Sequence, residues 1–382
     1  MSSTNVNEDN EIPQEIFDLS KDPLLYRRIV GSIAPSIYGC ERVKEGIMYW
    51  LFGGVERVVG DVKKRGAINV LLVGEPSTAK TSLLASAATI AGAVLLDGRV
   101  TYSRLVREEG KNTYFCIDGL ERSAYMKALN DFLHSLNYTN QKFLVSTCPK
   151  FGKWNPDLIP SENLDVFPSL LAYFDLIFVM RDVANKQSDD LLSEFVLQAH
   201  SRSETKENII PINILRSYIA YARKINPILT SAARKKLGEY FVAVRAADYG
   251  IPITPRHLEG LIYLAEAHAR IALRKEVTEE DAQAAVKIFN ESMQQVCFDT
   301  ATGKMDRDIL DTGAAKSTPE KLKIAYAVVL ELVKETGYIK TEVVYQELEK
   351  KGISRDEAEA LIGMLYRDNK IYEPRPKYLK RV

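Results

Sequence analysis

A chain of 382 residues exceeds one ordinary domain and suits two or three. Its 46% hydrophobic and 27% charged residues exclude a largely disordered chain and supply a sizeable core. The 51 Lys+Arg cancel the 51 Asp+Glu, so bulk charge does not recruit nucleic acid and only a local basic patch does. Cys40, Cys116, Cys148 and Cys297 stand far apart, which argues against a zinc knuckle or a disulfide framework and predicts a reducing, cytoplasmic setting. No apolar run approaches the length of a membrane span.

In chain order, residues 1–22 are acidic and rich in Ser and Asn, and read as a flexible leader. From 23 to 185, short apolar runs at 68–73, 93–96, 113–118, 142–147 and 175–180 alternate with helical patterns. Their hydrophobicity is continuous rather than alternating. That predicts strands buried on both faces, hence an α/β fold with a parallel sheet. From Asp182 to residue 298 no strand is predicted. Leu215, Tyr218, Ile219 and Ala222, then Leu258, Leu261, Ile262 and Ala265, recur at helical spacing, so 186–298 reads as a helical lid. A polar linker follows at 299–318. Residues 319–382 read as three helices (320–336, 341–351 and 354–368) and a β-like tail, the plan of a winged helix-turn-helix.

One motif carries chemistry. Gly74-Glu75-Pro76-Ser77-Thr78-Ala79-Lys80-Thr81 follows a predicted strand and opens a predicted helix, the context a phosphate-binding loop requires. Its backbone N–H groups and the helix N-terminus suit phosphates; Lys80 suits the β- and γ-phosphates of ATP, and the Thr81 hydroxyl suits Mg²⁺. Ala79 stands where the pattern has its second glycine. Asp118, at the end of an apolar strand, is predicted to lie beside the same Mg²⁺. Gly119 follows, where a P-loop motor carries a glutamate.

Ser32-Ile33-Ala34-Pro35-Ser36-Ile37-Tyr38-Gly39, the 74–81 loop, Pro149-Lys150-Phe151-Gly152, Phe174-Asp175-Leu176-Ile177-Phe178 and Ile253-Thr254-Pro255-Arg256 together resemble the MCM replicative helicases, most closely the archaeal type. The resemblance runs in order through nearly the whole chain. It implies an AAA+ ATPase fold with a helical lid and a C-terminal winged helix, hexameric rings around DNA, and ATP bound between subunits. By the same resemblance Ile37 and Tyr38 lie near the adenine, Asp118 is the Walker B acid, and Arg256 is the sensor 2 arginine reaching the nucleotide of an adjacent subunit. The family's N-terminal DNA-binding and zinc region is, by the same resemblance, expected to be absent, in keeping with the cysteine spacing. Gly119 replaces the Walker B glutamate, Cys148 the sensor 1 asparagine, and Tyr173 the arginine finger. The stretch from Lys80 to Asp118 is shorter than in the family, which implies that the helix-2 insert is missing, and the channel hairpin finds no room between Asp131 and Lys142.

An arginine finger alone contributes about 10³–10⁵ in rate, whereas Lys80, Thr81, Asp118 and the loop serve mainly ground-state binding. The expectation is an MCM-like protein that binds ATP and Mg²⁺ with impaired hydrolysis, associated with DNA and with its own copies or MCM-type subunits, and with neither membrane nor zinc. Lys370, Arg375, Lys377, Lys380 and Arg381, in the basic tail, are the candidate DNA contacts. The alternatives are an active ATP-dependent DNA helicase subunit, or a DNA-binding regulatory protein that uses its AAA+ core to oligomerise.

Overall fold

The computed structural model describes residues 13–97, 101–109, 113–120, 123–135, 141–155, 163, 166, 168–182, 185–201, 209–246, 254–293 and 324–330. From 332 to 381 it describes all but 334–337, 351–352, 354, 356–357, 359–360, 363–364, 366–370 and 376–377. Two compact units share these residues: 1–238 with 254–296, and 239–253 with 297–382.

The first unit begins with α1 (Gln14–Ser20), α2 (Leu25–Ser32) and α3 (Glu41–Phe52). Residues 14–20 correct the leader expected over 1–22. Ile16 and Leu19 are one helical turn apart and both are buried, which fixes this segment as α1; residues 1–12 lie outside the described residues. A hairpin of β1 (Arg57–Val59) and β2 (Val62–Lys64) follows, turning at Gly60 with φ +61°. It was not foreseen.

The parallel sheet is as predicted, with strand limits shifted by up to two residues. It comprises β3 (Val70–Gly74), β4 (Val94–Asp97), β5 (Tyr114–Asp118), β6 (Lys142–Thr147) and β7 (Leu176–Met180) in the order β4-β5-β6-β3-β7. Every residue of β3, β6 and β7 is buried, which explains the unbroken apolar runs. The crossover helices are α4 (Lys80–Ala91), α5 (Tyr102–Glu109), α6 (Ser123–Ser135) and the short α7 (Pro168–Leu171). Strand β3 pairs in parallel with β6 on one side and β7 on the other, so the strand order divides at it, with β4, β5 and β6 to one side and β7 to the other. The C-terminal ends of strands at such a switch point form the crevice where ligands bind in open α/β sheets. Between α6 and β6, residues 136–140, where the missing hairpin was expected, lie outside the described residues.

Beyond β7 come α8 (Lys186–Ser201), α9 (Ile212–Ala222), α10 (Ser231–Ala246), α11 (Pro255–Ile271) and α12 (Glu279–Met293). The division between the two units falls inside α10, after Gly238. The expectation of no strand from Asp182 to residue 298 is wrong in detail. Ile228–Leu229 (β8) and Glu276–Val277 (β9) pair in parallel, too short to leave a periodic signal. Helix α11 starts at a capping box of Thr254 and His257 with Pro255 in its first turn. Its Arg270 reaches the end of α3, donating to the carbonyls of Phe52, Gly53 and Gly54. Those are C-terminal helix carbonyls, which a cation satisfies well. Burial pulls the Arg270 guanidinium down to about 10. One turn earlier, Glu266 accepts from the Val55 N–H and from Arg57. This pair of charged groups fastens α11 to the 52–57 segment.

In the second unit, residues 324–330 are helical, and β10 (Ile339–Lys340) leads into α13 (Thr341–Lys350). Strands β11 (Ile371–Arg375) and β12 (Tyr378–Arg381) form an antiparallel pair, with β10 on the far side of β12. Val329, Val344, Leu348, Leu361, Leu365 and Leu379 belong to its own apolar core. Most of the helix expected over 354–368 lies outside the described residues.

Candidate functional site: a phosphate loop at the sheet switch point

Gly74 ends β3 and admits no side chain. A Cβ there would stand 2.7 Å from Thr78 Oγ1 and 3.0 Å from Met180 Cβ. From that point the chain makes a tight loop in which Ser77 (φ +69°) and Ala79 (φ +64°) both adopt the left-handed region. Such conformations cost about 1–2 kcal/mol for residues other than glycine. Strain of this kind persists only where the surrounding structure over-determines the backbone, and it clusters at ligand clamps and active sites. Ala79, at the pattern's second glycine, takes the positive φ that a glycine takes most easily. It is also the N-cap of α4 and offers no side-chain acceptor to the helix. The first N–H groups of α4 are therefore left for an anion, with the helix dipole favouring negative charge.

Lys80 is 9% exposed. Its ammonium donates to the carbonyls of Gly74 at 2.6 Å and Glu75 at 2.7 Å, across the mouth of the loop. The Thr78 hydroxyl donates to the same Glu75 carbonyl. The Thr81 hydroxyl donates to Asp118 Oδ2 at 2.7 Å, so β5 and α4 bring these two oxygens together as the sequence predicts. Two hard oxygen donors beside a phosphate loop fit Mg²⁺, which keeps several waters and takes phosphate oxygens as its other ligands. Among the described residues no group of three or more His, Cys, Asp and Glu side chains converges on a metal position.

Ser146 was missed in the sequence. Its hydroxyl donates to Asp118 Oδ1 at 2.5 Å and accepts from the Gly119 N–H at 3.0 Å. It thereby orients the acid from the neighbouring strand β6. Gly119 has φ +77°, and no atom stands within 4 Å of where its Cβ would be. A side chain fits there sterically, but the backbone is shaped for glycine. Cys148 follows the end of β6 and is partly exposed.

The loop is tied to its surroundings by Glu75. Its carboxylate accepts from the N–H groups of Trp154 at 2.9 Å and Asp182 at 3.1 Å. Those two bonds, Trp154 first, hold the carboxyl below the ordinary glutamate range. A group with a lowered folded-state value stabilises the folded form at higher pH and loses that contribution as pH falls through the lowered value. The Arg181 guanidinium lies 4.5 Å from the Trp154 ring centroid, so this indole reports on the anchor. On acidification, Trp154 fluorescence is expected to change with an apparent pKa below the glutamate norm, and the transition is expected to vanish in Glu75→Gln. The chain has two tryptophans, and Trp50 is fully buried in α3.

Ile37 and Tyr38 line a separate cavity of about 370 Å³ with Arg27, Lys44 and Phe195. Lys44 Nζ donates to the Ile37 carbonyl at 2.8 Å. The Tyr38 and Phe195 rings lie 5.4 Å apart. The Ala34 N–H donates to Ser86 Oγ on α4, which ties this segment to the helix that follows the phosphate loop. Phe195, on α8, was also missed; its sole signal is being the one phenylalanine in that helix.

Tyr173 and Arg256 lie elsewhere. Strands β3 and β7 run parallel in register from Val70↔Leu176 to Gly74↔Met180. Tyr173 precedes β7, and its carbonyl accepts from Asn69 Nδ2, just before β3. From Asn69 to Gly74 a strand advances about 16 Å, which puts Tyr173 at the opposite end of the sheet from the phosphate loop. The Arg256 guanidinium lies over the Tyr173 ring, 3.9 Å from its centroid. Of the basic tail, Lys370 and Lys377 lie outside the described residues. Arg375 and Arg381 fall on β11 and β12, and Lys380 is exposed on β12.

Residues 13–105 and 120–200 match the MCM P-loop domain, and residues 213–293 match the MCM AAA-lid domain. The chain is 34% identical over 418 residues to the minichromosome maintenance protein MCM of Saccharolobus solfataricus, an alignment covering 99% of this chain and 60% of that protein. It is 30% identical to an uncharacterized MCM-type protein of Methanocaldococcus jannaschii, over 91% of this chain and 57% of that one. It is also 30% identical to the DNA replication licensing factor mcm4-B of Xenopus laevis, over 87% of this chain and 43% of that one. The chain thus spans about half the length of these relatives. With a glycine-ended strand, phosphate loop and acid at the switch point of a five-stranded parallel sheet, and a helical lid following in the matched order, the chain belongs to the MCM family as an AAA+ P-loop domain with its lid.

Proposed function

We propose that this protein binds Mg·ATP between copies of itself or of MCM-type subunits on DNA, and hydrolyses it poorly. The binding half rests on the loop. Lys80, Thr81 and Asp118 converge at its mouth, and the N–H groups at the start of α4 are uncapped. Lys80 meets the phosphates, Thr81 and Asp118 hold the metal ion, and Ile37 and Tyr38 border the base. When bound, Mg²⁺ neutralises phosphate charge. The N–H groups of Ser77 and Ala79 supply backbone donors, with Gly74, Glu75, Pro76 and Thr78 shaping the turn.

The inter-subunit half rests on distance. Arg256, held over Tyr173 at the far end of the sheet, is about 16 Å of strand away from the chain's own phosphate loop. It is suited to a nucleotide on another copy. The sequence-based domain limits (23–185 core, 186–298 lid, 319–382 winged helix) belong to this reading, as does DNA contact through the tail. The antiparallel β11–β12 pair beside α13 supports a wing.

Poor hydrolysis is carried by one observation. Position 119 holds a glycine at φ +77°, so residue 119 supplies no carboxylate beside Asp118 to polarise water. Cys148 and Tyr173 add to it. Losses of groups that act together do not sum, but one of them alone is worth roughly 10³-fold. Steady-state hydrolysis, with and without DNA, is therefore expected to stay at the Lys80→Ala background. DNA-stimulated turnover that Lys80→Ala abolishes would favour the helicase alternative instead.

A further inference from the structure

Arg256 and Tyr173 come from rigid, independently anchored pieces of backbone. Arg256 lies in the first turn of α11, fixed by the Thr254–His257 capping box and by His257, which is 4% exposed. Tyr173 lies in the turn before β7; its N–H donates to the Leu170 carbonyl, and its carbonyl accepts from Asn69. Two residues on, Asp175 packs against α11 so closely that a Cβ on Gly260 would stand 2.6 Å from its Oδ1. The 3.9 Å stack is thus set by the backbone on both sides.

The kind of contact matters. A carboxylate partner would occupy the N–H edge of a guanidinium, whereas an aromatic face holds the plane and leaves the donors on the edge. Among the described residues Arg256 forms no ion pair with a carboxylate, and both Arg256 and Tyr173 are partly exposed. A guanidinium held over an aromatic face, with no carboxylate on its donors among the described residues, is matched to a phosphate group, and this chain's own phosphate loop is too far away to supply one.

We propose that Tyr173 is the positioning residue for Arg256: its ring holds the guanidinium so that the donor edge meets the phosphates of a nucleotide bound to a second copy of this chain. This rests on the reading that nucleotide lies between copies. It also gives Tyr173 a role of its own, rather than only marking the absence of an arginine.

The test is Mg·ATP-dependent self-association of the full chain, followed by sedimentation, for wild type, Arg256→Ala, Tyr173→Ala, Tyr173→Phe and the Tyr173→Ala/Arg256→Ala double variant. Arg256→Ala is expected to weaken association. Tyr173→Ala is expected to weaken it by roughly 3- to 30-fold, the range of a cation–π contact, and Tyr173→Phe to restore it. In the Arg256→Ala background, Tyr173→Ala is expected to have no further effect. An unchanged Arg256→Ala protein, or a wild type that does not associate with Mg·ATP, overturns the inter-copy reading and this proposal with it. An impaired Arg256→Ala beside an unchanged Tyr173→Ala overturns the positioning role alone. So does a Tyr173→Ala loss that adds fully to that of Arg256→Ala, or one that phenylalanine does not rescue, since either marks a general structural defect.

Discussion

Lys80→Ala is expected to weaken Mg·ATP binding by at least two orders of magnitude. The Lys80 ammonium is held by the Gly74 and Glu75 carbonyls at the mouth of the loop. Entering phosphates exchange those neutral acceptors for charged ones. Hydrogen bonds to charged groups contribute about 1.5–3 kcal/mol each, so two of them correspond to roughly 10²–10⁴ in affinity. Equilibrium titration with ATP and Mg²⁺ measures this. An affinity unchanged by the substitution would mean that the phosphates bind elsewhere. Thr81→Ala is expected to cost less and chiefly in the presence of Mg²⁺, because it removes one of two metal-side oxygens and leaves the loop donors in place.

The second large effect is on stability. Asp175 is 2% exposed, and its carboxylate accepts from Arg65 at 2.6 Å and from the Asn69 N–H at 2.8 Å. Arg65 is itself 7% exposed. Asp175→Ala leaves a buried guanidinium without its countercharge and a buried N–H without its acceptor. Breaking such a pair by removing one partner costs about 3–5 kcal/mol, a fall in Tm of roughly 10 °C for a unit of this size. Asp175→Asn, which keeps one acceptor and the shape, is expected to fall between that variant and wild type. Gly260→Ala is expected to destabilise by another route, because its Cβ would press on Asp175. Thermal unfolding followed by circular dichroism separates the three. An Asp175→Ala protein as stable as wild type would show that the pair contributes nothing net.

The phosphate loop was legible because its signal is local: an apolar run, a glycine, then Lys-Thr opening a helix within a dozen residues. The parallel sheet was legible because strands buried on both faces leave unbroken apolar runs. What escaped was non-local or too short. Ser146 is one of two hydroxyl residues at the end of a buried strand, and it becomes the partner of Asp118 only through the register that sets Ile117 against Val145. Phe195 meets Tyr38, and Arg256 meets Tyr173, across long stretches of chain. No periodicity encodes such meetings. The two-residue strands β8 and β9 hold too few residues to alternate. Helix α1 is a different case. Ile16 and Leu19 carried the helical spacing, and the surrounding acidic residues masked it.

The reading of nucleotide binding without efficient turnover meets its most direct test in the fate of the bound nucleotide. With protein in excess over radiolabelled ATP, in Mg²⁺ and DNA, the bound label is recovered at intervals and resolved into ATP and ADP. The account predicts that it is recovered as ATP over hours, at least 10³-fold more slowly converted than by an intact arginine-finger ATPase, and that Lys80→Ala retains no label. Recovery as ADP within seconds to minutes, abolished by Lys80→Ala, would contradict it and assign water activation to a residue other than those at positions 119, 148 and 173.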